Sequence, residues 1–197
     1  MTKEKTLVLL KPDAVQRNLI GDIIDRFERV GLKIVALKFV VPTQEQAYTH
    51  YVKNEAEITA LGQRSIDGKR KGGAVVDDDP TELGGKIINR LVRFLTSGPV
   101  VAIVLQGHQA IAITRKIVGS TEPLQSAMGT IRGDYTVDSY LIADTDDRAV
   151  RNLVHASANA QEAEYETGVW FKLDEIVEYH NIRERILYDI NLDNSNE

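Results

Sequence analysis

The sequence predicts an α+β fold of ferredoxin-like type, a four-stranded antiparallel sheet covered by helices. Three observations predict it. Apolar runs of strand length at residues 6–10, 33–41 and 100–105 alternate with segments whose apolar residues recur at helical spacing. The order strand, helix, strand, helix, strand, helix, strand with little internal repetition favours segregated helices over a doubly wound sheet. A chain of 197 residues, 43% hydrophobic and 27% charged, suits one globular domain with room for insertions.

Residues 6–10 form a continuous apolar run stopped at Lys11-Pro12-Asp13, as expected of a buried central strand with Lys11 at its exit. Ile20, Ile23, Ile24, Phe27 and Val30 mark an amphipathic helix closed by Gly31. Val35, Leu37, Phe39 and Val41 share one face of a second strand before Pro42, and residues 43–51 read as helix. Residues 54–86 carry scattered glycines, a basic run at Lys69, Arg70 and Lys71 and an acidic run at Asp77, Asp78 and Asp79, and read as a loop-rich insertion with solvated charges. A helix at 87–95 leads to a buried strand at 100–105, introduced by Ser97-Gly98-Pro99, and a helix over 108–118 closes at Gly119. Residues 120–135 read as a structured loop. Asp146 and Asp147 suit the start of a short helix running to His155, and residues 169–171 a brief last strand.

Composition narrows the chemistry. Without cysteine there is no disulfide, thiolate metal site or cysteine nucleophile. The longest apolar run, residues 99–105, falls short of the roughly 20 residues of a membrane span, and residues 1–5 are polar, so a soluble, cytoplasmic protein without a membrane partner is expected. A net charge of −5 argues against specific nucleic-acid binding, so an anionic ligand needs a local basic pocket. No GxxxxGK[ST] loop is present, and His50, His108, His155 and His180 lack metal-ligand spacing, so no protein metal site is expected.

His155 stands out by its company. Asn152 precedes it by three residues, which would share a helical face, and Ser157 follows. A neutral imidazole is a nucleophile when an acceptor holds its second nitrogen, and Glu166 can do so directly or through Ser157. The H-x-S pattern alone more often marks a capping or solvated histidine. Arg132 lies in Gly129-Thr130-Ile131-Arg132-Gly133-Asp134, where glycines allow close backbone approach and the guanidinium offers forked donors to phosphate.

Taken together these segments resemble the nucleoside diphosphate kinases. The resemblance rests on Leu9-Leu10-Lys11-Pro12-Asp13, on residues 19–28, on Ser97-Gly98-Pro99-Val100-Val101, and on Arg115 with Gly119-Ser120-Thr121-Glu122-Pro123. It continues through residues 129–134 and Asn152-Leu153-Val154-His155-Ala156-Ser157-Ala158 to Glu166 and Trp170-Phe171. It implies a ping-pong phosphotransferase in which His155 takes the γ-phosphate of a Mg2+-bound nucleoside triphosphate and gives it to a diphosphate. Lys11 and Asn152 would hold the ribose 3′-hydroxyl, Lys11 also the phosphate in transfer, Tyr51 the γ-phosphate, and Arg115, Thr121 and Arg132 the β and γ phosphates. It also implies a homo-oligomer, a hexamer or alternatively a tetramer. Relative to the family, Ala14 and Ala156 replace glycines, and one domain carries insertions at 54–86 and within 136–149. Ile87 falls where the family places a base-stacking aromatic.

Overall fold

The computed structural model describes residues 3–52, 54–73 and 75–188, so the first two residues of the polar start lie outside it. Strands β1 (Glu4–Leu10), β2 (Lys33–Val40), β3 (Val100–Gly107) and β4 (Val154–Ala156) form one sheet in the order β2-β3-β1-β4, every pair antiparallel. Helices α1 (Pro12–Gln16) and α2 (Ile20–Arg29) follow β1, and α3 (Gln44–Tyr51), α4 (Glu55–Lys71) and α5 (Pro80–Leu95) lie between β2 and β3. Beyond β3 come α6 (Ala110–Val118), α7 (Ile131–Tyr135) and α8 (Tyr140–Thr145), and after β4 come α9 (Ala160–Trp170) and α10 (Arg183–Tyr188). This is the α+β, ferredoxin-like architecture expected.

The continuous apolar strands follow from a sheet covered on both faces. Along β1, Val8 and Leu10 pack with Ile23 and Phe27 of α2, while Leu7 and Leu9 pack with Ala47 of α3 and Val92 of α5. All of β3 is buried for the same reason. Alternation then settles where each side chain goes. Gly31, at φ +91°, ends α2 in a conformation that a side chain would strain.

Residues 54–86 are not loop-rich. They hold α4 and the first half of α5, and their glycines mark close packing. A Cβ on Gly62 would lie 1.7 Å from the Pro80 carbonyl oxygen, and one on Gly84 would lie 2.0 Å from that of Ile58. Ile66, Val76 and Leu83 close a small core between the two helices. The charge runs are helix ends: Lys69, Arg70 and Lys71 form the last turn of α4, and Asp79 caps α5 by accepting from the Thr81 and Glu82 amides. Three other expectations are corrected. His155 sits on β4 and not on a helix, because Val154 and Ala156 alternate into the core beside it. Asp146 ends α8 rather than starting a helix. Residues 169–171 are the end of α9 and its cap, with Trp170 buried against the sheet. Residues 120–135 are a structured loop only in part, since they contain α7 and a 3-10 turn at Pro123–Gln125.

Candidate active site

His155 pairs with Leu9 in the β4–β1 ladder, so it points to the sheet face opposite Val154 and Ala156, toward α3 and α9. Its side chain keeps 20% exposure, enough to reach a ligand. Its Nε2 lies 2.9 Å from Oε2 of Glu166, a buried carboxylate on α9, and the Ser157 hydroxyl donates to the same oxygen at 2.5 Å. The carboxylate accepts, so Nε2 carries the proton and Nδ1 is left with its lone pair. Glu166 thus acts directly, with Ser157 as its second support.

His50 and Asp13 escaped the sequence reading. The His50 ring stands edge-on to His155, centroids 4.4 Å apart, and its Nδ1 accepts from the Trp170 indole at 3.3 Å. That bond commits His50 Nδ1 and puts the proton on Nε2, and the candidate ligand atoms of His50, His155 and Glu166 lie within 4.8 Å of one another. Asp13 accepts from the amide of Leu153 at 3.1 Å. Leu153, just before β4, holds a left-handed φ of 65° and bridges a tight turn closed by the Val154 amide on the Asn152 carbonyl at 2.7 Å. A left-handed leucine costs about 1–2 kcal/mol and survives only where its surroundings fix it. The sequence signal for Asp13 was its place in Lys11-Pro12-Asp13; the His50 contact had none.

Lys11, at the exit of β1, is 5% exposed and donates to Asn152 Oδ1 at 2.7 Å. Asn152 Nδ2 donates in turn to the Thr121 carbonyl at 2.8 Å. Arg132 is buried, and its guanidinium donates to the carbonyls of Asn152, Gly119, Ser120 and Val154, which leaves one N–H uncommitted. It therefore builds the turn at His155 before it can bind anything. Arg115 and Thr121 are exposed, and among the described residues the Arg115 guanidinium has neither ion pair nor side-chain hydrogen bond. The Tyr51 hydroxyl is buried without a hydrogen-bond partner among the described residues, and burial raises its pKa, so it remains a donor. Ala14 and Ala156 have no positive φ, so their positions do not require glycine.

Burial, helped by the positive charge of Lys11 and Arg132, pulls His155 down from 6.5 to about 3. Burial and Arg132 likewise lower Lys11 from 10.5 to about 8. Folded His155 binds fewer protons than its unfolded counterpart below about 6.5, so this group costs stability as pH falls from about 6.5 toward 3. Folded Lys11 loses its proton first, so between about 8 and 10.5 the unfolded chain binds more protons and this group's contribution to stability rises with pH.

A neutral imidazole with one free nitrogen, backed by a carboxylate and faced by cationic donors on an antiparallel α+β sheet, has the chemistry a phosphoryl-transfer site needs. The family model for nucleoside diphosphate kinase matches residues 4–60 and 82–176. A nucleoside diphosphate kinase of Pyrobaculum aerophilum is 47% identical over 186 residues, covering 90% of this chain and all of the relative. One from Staphylococcus epidermidis is 38% identical, covering 94% and 99%. Among solved structures, an NDP kinase from Pyrobaculum aerophilum superposes with a TM-score of 0.84 at 44% identity, covering 90% of this chain and 100% of that one. A transition state mimic of the Borrelia burgdorferi enzyme with vanadate and ADP superposes with a TM-score of 0.76 at 34% identity, covering 93% and 96%. The chain belongs to the nucleoside diphosphate kinase family. It is a phosphotransferase, and the family's activity entails a divalent metal.

Proposed function

We propose that this protein moves the γ-phosphate of a nucleoside triphosphate to a nucleoside diphosphate through phosphorylated His155. The observation that carries this is the Glu166 bond at 2.9 Å, which occupies Nε2 and leaves Nδ1 to react. The Nδ1 lone pair attacks the γ-phosphorus, the bond to the β–γ bridging oxygen breaks, and the diphosphate leaves with that electron pair. The phosphoimidazole keeps its Nε2 proton, and the positive charge gained by the ring is balanced by Glu166. A second diphosphate then attacks phosphorus with a terminal β-oxygen and restores the neutral imidazole.

The remaining side chains bind and orient. Asn152 Oδ1 already accepts from Lys11 and has a second lone pair for the ribose 3′-hydroxyl. Lys11 faces both that hydroxyl and the phosphate in transfer. Tyr51 offers its buried hydroxyl to the γ-phosphate, and Arg115, Thr121 and the last Arg132 N–H serve the β and γ phosphates. The metal is Mg2+, brought in on the nucleotide's phosphates. The donor set fits that arrangement: Asp13 and Glu166 are committed to protein partners, while the phosphate-facing groups are hydrogen-bond donors. Mg2+ supplies neutralisation of phosphate charge.

The chain is read as one domain with two insertions, at about 54–86 and within 136–149; residues 61–81, which the family model leaves unmatched, support the first. The first lies beside the base, where Ile87 stands in place of a stacking aromatic. A homo-oligomer, a hexamer or alternatively a tetramer, accords with the edge strand β2, whose Leu37 and Phe39 are exposed beside Val41. The protein is cytoplasmic and binds neither membrane nor specific nucleic acid. A net charge of −5 accords with this, as does the lack, among the described residues, of a helix long and apolar enough to cross a membrane.

The test is incubation with γ-labelled ATP and Mg2+. An acid-labile phosphoenzyme whose label passes to added GDP or CDP is the expected result; a protein that labels but ignores diphosphates would instead be a phosphohistidine carrier. The pH profile is a second expectation. Lys11 titrates at about 8 in the free enzyme, so kcat/KM for ATP should fall about tenfold per pH unit above that point. Lys11→Arg, permanently charged, should show lower activity without this alkaline limb. An unchanged limb in the variant would assign the titration to another group.

A further inference from the structure

The turn that carries Asn152, Leu153 and His155 is held from upstream by a residue that the transfer reaction does not use. Asp138 is 8% exposed and grips Arg148 with both oxygens, Nη1 to Oδ2 at 2.6 Å and Nη2 to Oδ1 at 2.9 Å. Its Oδ2 also accepts the main-chain N–H of Arg151 at 2.6 Å. Next to it, the Thr136 hydroxyl donates to the Arg151 carbonyl at 2.9 Å. The Asp138 carboxylate thus ties the start of the segment 138–151 to its end. Its far end is pinned to the helical pair by Lys69 and Arg90 on Asp144, Arg90 on Asp147 and the Arg93 guanidinium on the Asp147 carbonyl.

The main chain runs from Arg151 straight into Asn152 and the strained Leu153. Asp13 and Arg132 hold that turn from the Asn152 side onward, and Asp138 holds it one residue earlier. Burial would raise the Asp138 carboxyl, but the hydrogen bonds from Arg148 and the Arg151 amide outweigh it and keep the group below the ordinary carboxylate range. The acceptor is therefore charged at any pH where the site works. Charge-assisted bonds of this length are roughly twice as strong as neutral ones.

We propose that Asp138 is a positioning residue for phosphoryl transfer: by clasping Arg148 and the Arg151 amide it fixes the turn that aims Asn152 and His155 at the phosphate. This rests on His155 being the nucleophile. Misplacing a reacting group by 1 Å can cost about 100-fold in rate, whereas a merely structural contact would lower stability and leave each folded site reacting at its normal rate.

The experiment is single-turnover phosphorylation of the full chain over a range of Mg2+–ATP, with the rate referred to the number of sites that label. In Asp138→Ala the saturated rate should fall about tenfold or more while the ATP concentration at half-saturation changes less than about twofold. Asp138→Asn keeps a carbonyl acceptor for the Arg151 amide and should recover most of the rate. Arg148→Met removes the ion pair but leaves that amide bond, and should fall between the two; it also stands in if Asp138→Ala fails to fold. A wild-type rate per labelled site in Asp138→Ala overturns the proposal. So does Asp138→Asn as slow as Asp138→Ala, or, where Asp138→Ala does not fold, full speed in Arg148→Met. Failure of the unaltered protein to label would overturn the parent reading instead.

Discussion

His155→Ala should abolish the phosphoenzyme and lower turnover by roughly 10^4-fold or more, since removing a covalent nucleophile leaves only binding and electrostatic assistance. Nucleotide affinity should change little. The phosphate-facing groups Lys11, Tyr51, Arg115 and Thr121 belong to other elements and make no hydrogen bond to the imidazole, so they remain in place. The variant should also lose less stability than the original as the pH falls from about 6.5 toward 3, because it lacks a buried imidazole that resists protonation. Rapid-quench labelling with ATP titration separates the two effects. Full turnover in the variant would show that another group is the nucleophile, and a large loss of affinity with some labelling would give His155 a binding role.

Arg132→Ala should cost about 3–5 kcal/mol of folding stability as well as activity. Its guanidinium reaches four carbonyls, two of them at Asn152 and Val154 on either side of the strained Leu153. Removing it takes one donor from each of the four, leaving the Asn152 carbonyl with the Val154 amide alone and the Ser120 carbonyl with the Ser126 hydroxyl, at about 1–3 kcal/mol for each acceptor left without a partner where water cannot reach. The whole fold commands only about 5–15 kcal/mol, so the loss should move a denaturation midpoint by a readily measured amount. Arg132→Lys should rescue little, because an ammonium cannot span the same fork of acceptors. An unchanged midpoint in Arg132→Ala, with weaker nucleotide binding alone, would return the residue to the purely phosphate-binding role read from the sequence.

That contrast shows what the sequence could convey. Strand and helix periodicity located β1, α2, β2 and β3, since a sheet covered on both faces writes its burial directly into apolar runs. Periodicity failed where a residue's neighbours are distant. The glycines Gly62 and Gly84 read as loop punctuation, yet they let two helices touch, which becomes visible only with Pro80 and Ile58 in place. The three residues of β4 are too few to show alternation, so the sequence places His155 on a helix instead. The link from His155 to Glu166 was legible through family order, but the ring nitrogen involved was not, because it depends on where α9 lies over the sheet. Asp138 carries no signal of its own in the sequence; its partners Arg148 and Arg151 lie 10 and 13 residues away and meet it only after folding.

The central claim is that Glu166 occupies Nε2 and leaves Nδ1 of His155 to carry the phosphate. It is tested most directly by phosphorus NMR of the phosphoenzyme, denatured in alkali to preserve the P–N bond and compared with the two phosphohistidine isomers. The account predicts a single Nδ1-phosphohistidine, which peptide mapping places at His155. A phosphate on Nε2, or on any residue other than His155, would contradict it.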